Sequence, residues 1–166
     1  MVLDLNGAIV KTKCLIGGVP KAEDVKLSLP EVNFQEVELP AMGKMSVPLP
    51  LTDNIEATIN KIGFDKGLCS AISLSPTKYE FRWAQTQEKA NGTSRVIGCK
   101  AFITGKAKSL PGGDIELGSS YEGAIPIDVR RYQLYVDGKE QWLIDKVAGI
   151  LRINGKDYAA DIKNVV

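Results

Sequence analysis

Between Tyr132 and Asp157 the chain reads YQLYVDGKEQWLIDKVAGILRINGKD, and its apolar residues alternate with polar ones on either side of tight turn signals. Leu134 and Val136 alternate up to Asp137-Gly138, a pair suited to the positive φ angles of a two-residue hairpin turn, and Trp142 and Ile144 resume the alternation beyond it. Ile150 to Ile153 followed by Asn154-Gly155 repeats the scheme. Two successive hairpins are predicted, which constrains the chain to an antiparallel β architecture. Nothing in the run positions a reactive group, so its role is read as structural.

At 166 residues and 44% apolar content, the chain fits a single domain, 1–166, burying roughly two-thirds of its unfolded surface. Twenty-one basic residues against twenty acidic ones, with no histidine, give a net charge of +1 and argue against a broad nucleic-acid-binding face. So small a net charge offers little colloidal repulsion and tolerates self-association. No basic segment precedes a long apolar run at the N-terminus, and no stretch approaches about 18 consecutive apolar residues, so neither a secretion signal nor a membrane-spanning segment is expected. Cys14, Cys69 and Cys99 are odd in number and widely spaced, which disfavours a disulfide framework or a CxxC metal site and predicts buried, reduced thiols. Asn91-Gly92-Thr93 fits a glycosylation sequon but reads as a turn.

Further strands follow from alternation. Val25, Leu27 and Leu29 alternate before Pro30, which must close the strand or sit on an edge. In Asn33 to Leu39, Val37 and Leu39 share one face and Glu36 and Glu38 the other, predicting one buried side and one facing solvent or a charged partner. Ile55, Ala57 and Ile59 form the next apolar stripe, with Glu56, Thr58 and Asn60 opposite. Asp65 is placed as the cap of one short helix carrying Leu68, Cys69 and Ile72 on an apolar stripe, ended by Ser75-Pro76. Tyr79, Phe81 and Trp83 make a strand with an aromatic face, Glu88 to Arg95 an exposed turn, and Val96 to Lys108 another strand, broken by Pro111-Gly112-Gly113. Ala124 to Val136 leads into the closing hairpins, and Tyr158 to Lys163 suits a brief helix.

Ala41 to Asp53, AMGKMSVPLPLTD, is too apolar for a solvated loop and too rich in proline for a regular central strand. Met42, Met45, Val47, Leu49 and Leu51 need cover, since each buried aliphatic side chain gains about 1.5–3 kcal/mol. Two sources of cover are open: another subunit, or the chain's own core.

The chemistry-bearing residues form no motif. Without histidine there is no Ser-His-Asp or Cys-His arrangement and no His-based metal site. Glycoside hydrolysis is the least strained enzymatic reading, and Glu36, Glu38, Glu56, Asp114 and Glu116 qualify for it only as acids. Gly17-Gly18 and Gly112-Gly113 lack the setting of a phosphate-binding loop and read as turns. No catalytic residue, cofactor or metal is indicated.

The order of LSLPEV at Leu27 to Val32, PAMGKMSVP at Pro40 to Pro48, and the closing YQLYVDGKE, WLID and INGKD segments resembles the major tail tube proteins of contractile-tailed phages and R-type pyocins. The apolar LPL after Val47 and the early segment containing Cys14 depart from that pattern. The resemblance implies a mainly β subunit, an antiparallel β-sandwich or barrel-like fold with one short helix, whose sheet edges join copies into hexameric rings that stack as a hollow tube. It further implies a piston and conduit inside a tail sheath protein, with a baseplate or tube initiator and a tape measure protein as partners. DNA would pass through a phage tube without specific binding, and none would follow in a pyocin-like particle. Such a subunit is made in the host bacterial cytoplasm and ends in the virion tail.

On this reading Met42, Gly43, Lys44, Met45, Val47, Pro48 and Leu49, within an arm at about 40–53, are expected to carry inter-ring contacts. Glu36, Glu38, Glu56, Thr58 and Asn60 are the candidates to face the lumen, where carboxylates would repel phosphates. The alternatives are a type VI secretion tube, similar in architecture, and a monomeric carbohydrate-binding or hydrolytic β domain.

Overall fold

The computed structural model describes residues 5–64, 66–70 and 72–166, and the chain is mainly antiparallel β. Its first strands are β1 (Leu5–Ile16), β2 (Val19–Glu23), β3 (Lys26–Ser28), β4 (Phe34–Pro40), β5 (Lys44–Thr52) and β6 (Ile55–Ile62). After the one-turn helix α1 (Lys66–Cys69) come β7 (Thr77–Glu88), β8 (Ser94–Ala107), β9 (Glu122–Val136), β10 (Lys139–Asp145), β11 (Ile150–Ile153) and β12 (Lys156–Asp157). Helix α2 (Tyr158–Lys163) follows, with Asp157 as its N-cap accepting from the Ala159 and Ala160 amides.

β9 is the spine. One edge pairs with β8, while the other pairs first with β6, from Glu122↔Ile62 to Val129↔Ile55, and then with β10, from Arg131↔Asp145 to Val136↔Lys139. From β8 the sheet runs through β7 and β1 to β2, whereas β6 carries β3 on its free side. Only Asp24 and Val25 separate β2 from β3, so consecutive residues lie at the two ends of the strand path. This connection rolls the sheet around one core, a barrel-like arrangement.

The core follows the period-two pattern. Ile55, Ala57 and Ile59 of β6 meet Ile125, Ile127 and Val129 of β9, with Tyr79, Phe81, Ala101 and Ile103 across the interior. Along β9 the inward positions switch from odd to even numbers: Val129 faces Gly105, but the next pair is Arg131 with Thr104. Arg130 is therefore an extra residue in the strand, a bulge that brings Tyr132 and Leu134 inward. The terminal hairpins form as the sequence predicts, with Asp137 at φ 51°, Gly138 at φ 79°, Asn154 at φ 50° and Gly155 at φ 85°.

Several expectations are corrected. No helical apolar stripe includes Cys69: α1 ends there rather than at Ser75, and Cys69 is exposed while Cys14 and Cys99 are buried. The proposed cap Asp65 lies outside the described residues. The brief helix expected at Tyr158 to Lys163 forms over those residues as α2. The paired strands β1 and β2, joined through Gly17-Gly18, have no counterpart in the sequence reading beyond that turn.

The largest correction concerns Asn33 to Leu39. Every residue of β4 is exposed, so neither face is buried within the subunit. Its partner is β5, whose Pro48 and Pro50 are tolerated because this two-stranded sheet stands apart from the main one.

Candidate functional site

The expected arm and the acidic strand before it are one element, the β4–β5 hairpin. Its ladder runs from Pro40↔Lys44 at the tip through Leu39↔Met45, Glu38↔Ser46 and Val37↔Val47 to Glu36↔Pro48, with an irregularity before Phe34↔Thr52. Ala41, Met42 and Gly43 close the tip, where the Ala41 amide donates to the Gly43 carbonyl at 2.9 Å. Met42 has φ 46° and Gly43 φ 112°, so this tight reversal uses left-handed backbone that the glycine adopts without steric cost.

Pleating sorts the side chains by chemistry. Val37, Leu39, Met45 and Val47 share one face, whereas Glu36, Glu38, Ser46 and Pro48 share the other, and the Ser46 hydroxyl donates to Glu36 Oε2 at 2.9 Å. Leu39 and Met45 remain 45% and 48% exposed, and Met42 at the tip is completely so. A two-stranded hairpin alone is marginal in water, and an uncovered apolar face makes it more so.

Packing against the rest of the chain is confined to the base. The Asp53 amide donates to the Asn33 carbonyl at 3.0 Å, and Lys146 Nζ donates to the Asp53 carbonyl at 2.6 Å. A groove of about 410 Å³ there is lined by Gln35, Pro50, Leu51 and Thr52 on the hairpin side and by Ile144, Ile150 and Ile162 opposite. Of the two sources of cover foreseen for the arm, the chain's own core serves the base, and the distal half has no cover among the described residues.

The five candidate lumen residues lie on two different sheets. Glu36 and Glu38 sit on the hairpin, whereas Glu56, Thr58 and Asn60 lie on the outward side of β6 within the main sheet. Glu56 is ion-paired with Lys108 at 2.9 Å. The hydrogen bond and charge of Glu56 raise the Lys108 pKa above its ordinary value. Asp114 and Glu116 lie in the exposed segment before β9. Among the described residues lining five grooves of the subunit, Asp145 is the one carboxylate, so the paired acids of the glycosidase reading are not assembled in them. No group of three His, Cys, Asp or Glu side chains suited to a metal occurs among the described residues. No described helix is long and apolar enough to cross a membrane.

One polar cluster had no signal in the sequence reading. On the outward face of β9 and β10, Glu140 accepts from Gln133 Nε2 at 2.8 Å and from Arg152 Nη2 at 3.0 Å. Burial acts to raise the Glu140 pKa, but the Arg152 and Gln133 hydrogen bonds prevail and lower it. These residues come from three strands, and only the register brings them together.

The described chain is thus a rolled antiparallel sheet from which an amphipathic two-stranded hairpin projects. Residues 7–166 match the family model for phage tail tube protein FII, so the chain belongs to the phage tail tube family. Comparison with curated proteins found no match. The family is one of structural virion proteins, and membership implies a tail component that assembles with itself into a tube and associates with other tail proteins.

Proposed function

We propose that the protein is the major tube subunit of a contractile phage tail, forming hexameric rings that stack through the β4–β5 hairpin. The observation that carries this is the hairpin's uncovered apolar face, formed by exposed Val37, Leu39 and Met45 with half-buried Val47 beside them, on an element with no support beyond its base. Contact with the next ring would cover that face and Met42, which stacking by a second set of head-to-tail contacts requires. Gly43 permits the tip reversal, Lys44 and Pro48 flank the contact, and Leu49 joins it to the base.

Within this reading the tube lies inside a tail sheath protein, begins on a baseplate or tube initiator, and has its length set with a tape measure protein. Sheath shortening drives it as a piston, and DNA passes through it without specific binding. The polar face of β6, with Glu56, Thr58 and Asn60, is assigned to the channel. Glu36 and Glu38 go with the hairpin instead. Replacing Met42 and Met45 with aspartate tests the reading: folded subunits that no longer stack are expected, and normal tubes by electron microscopy would refute it.

A further inference from the structure

Lys13 of β1, Arg82 of β7 and Lys100 of β8 stand directly across from one another in consecutive ladders, on the outward face of the sheet. Like charges opposed in this way destabilise a sheet unless something compensates them. Glu80 satisfies Arg82 at 2.6 Å, and Glu23, opposite Lys13 on β2, is engaged by Lys11 at 3.6 Å. Lys13 and Lys100 have no ion pair among the described residues. Beside them a shallow groove of about 440 Å³ is lined by Arg82, Lys100, Phe102, Gln133 and Tyr135. Phe102 and Tyr135 stack edge to face at 5.7 Å, which gives it an aromatic floor.

We infer that this cationic row receives the acidic face of the β4–β5 hairpin from a second copy of the chain, Glu36 and Glu38 pairing with Lys13 and Lys100. Charge complementarity carries the inference: two uncompensated cations on one surface face two exposed acids on another surface of the same molecule. Neither Glu36 nor Glu38 has an ion pair among the described residues, and Glu36 accepts only from the Ser46 hydroxyl. The spacing also fits, since alternate residues of a strand lie about 7 Å apart and side chains two strands apart about 10 Å, a difference that lysine's four-carbon stem absorbs. Pro48, on the acidic face, would rest on the aromatic floor. The apolar face of the hairpin stays free for the ring contact described above, so a single arm engages neighbours with both faces.

The inference rests on the tube reading, and charge reversal separates the two. Glu36→Lys with Glu38→Lys, and Lys13→Glu with Lys100→Glu, are compared with wild type by sedimentation and negative-stain electron microscopy, circular dichroism confirming that each variant is folded. Each double variant is expected to lower the assembled fraction by about tenfold or more. The quadruple variant, which restores opposite charges, recovers it, and high salt weakens wild-type assembly. Wild-type tubes unaffected by either reversal, or a quadruple variant that stays dissociated, would overturn the pairing and leave the tube reading standing. Wild-type protein that never assembles would remove both. Duplex DNA binding that Lys13→Glu and Lys100→Glu abolish while tubes persist would assign the row to phosphates and also overturn the pairing.

Discussion

Lys108 Nζ lies 2.9 Å from Glu56 Oε2, joining the turn after β8 to the outward face of β6 with both side chains half exposed. A carboxylate read from sequence as a free, phosphate-repelling group is therefore compensated. Exposed pairs of this kind contribute little to stability. Lys108→Ala is expected to leave the melting temperature nearly unchanged while baring Glu56. If β6 lines the channel, Thr58→Lys with Asn60→Lys then slows DNA ejection, whereas Lys108→Ala does not. Equal ejection rates in all three proteins would remove β6 from the channel.

Gly105 sits where the β8–β9 register shifts, and a Cβ there would lie 2.3 Å from the Asp128 carbonyl oxygen and 2.8 Å from Ile127 Cγ2. Backbone at that distance cannot yield as a flexible side chain does. Gly105→Ala is predicted to cost about 1–3 kcal/mol or more, read as a lowered urea midpoint. A wild-type midpoint would show that the close approach is not retained in solution.

Ile59 and Ile127 are completely buried on neighbouring strands of the core. Truncating either to alanine removes transfer energy and leaves a cavity, so a loss of about 2–5 kcal/mol is expected for each. Ile62→Ala, at the exposed end of the same strand, should stay near wild type. Comparable losses at all three positions in chemical unfolding would contradict the placement of the core.

What is legible in the sequence depends on whether local pattern or distant contact decides the structure. The Asp137-Gly138 and Asn154-Gly155 turns, the aromatic stripe of β7 and the β6 core stripe were readable because each is fixed by neighbours in sequence. For Glu36 and Glu38 alternation predicts a half-buried strand, because it reports that a strand has two unlike faces and not whether either is covered. The union of β4 and β5 was obscured by Pro48 and Pro50, which the separate hairpin accommodates. The row of Lys13, Arg82 and Lys100 depends on register across three strands, which no local pattern in the sequence aligns.

Burial pushes the Cys14 thiol from 9.0 up to about 12. The unfolded chain gives up this proton near its ordinary pKa while the folded one retains it, so stability present below pH 9 is lost as the pH rises toward 12, at about 1.4 kcal/mol per unit. Tyr79 and Tyr132, also raised by burial, add to the alkaline loss. Cys14→Ala should flatten the decline in chemical unfolding between those limits without abolishing it. An unchanged slope would place the titration elsewhere.

The central claim, a tube built by stacking through the β4–β5 hairpin, is tested most directly by cryo-electron microscopy of the assembled wild-type protein. The account predicts a hollow tube of stacked sixfold rings in which each hairpin reaches a neighbouring subunit and the apolar face of Val37, Leu39 and Met45 is covered. Subunits that stay monomeric at every concentration, or a tube in which that face remains open to solvent, would contradict it.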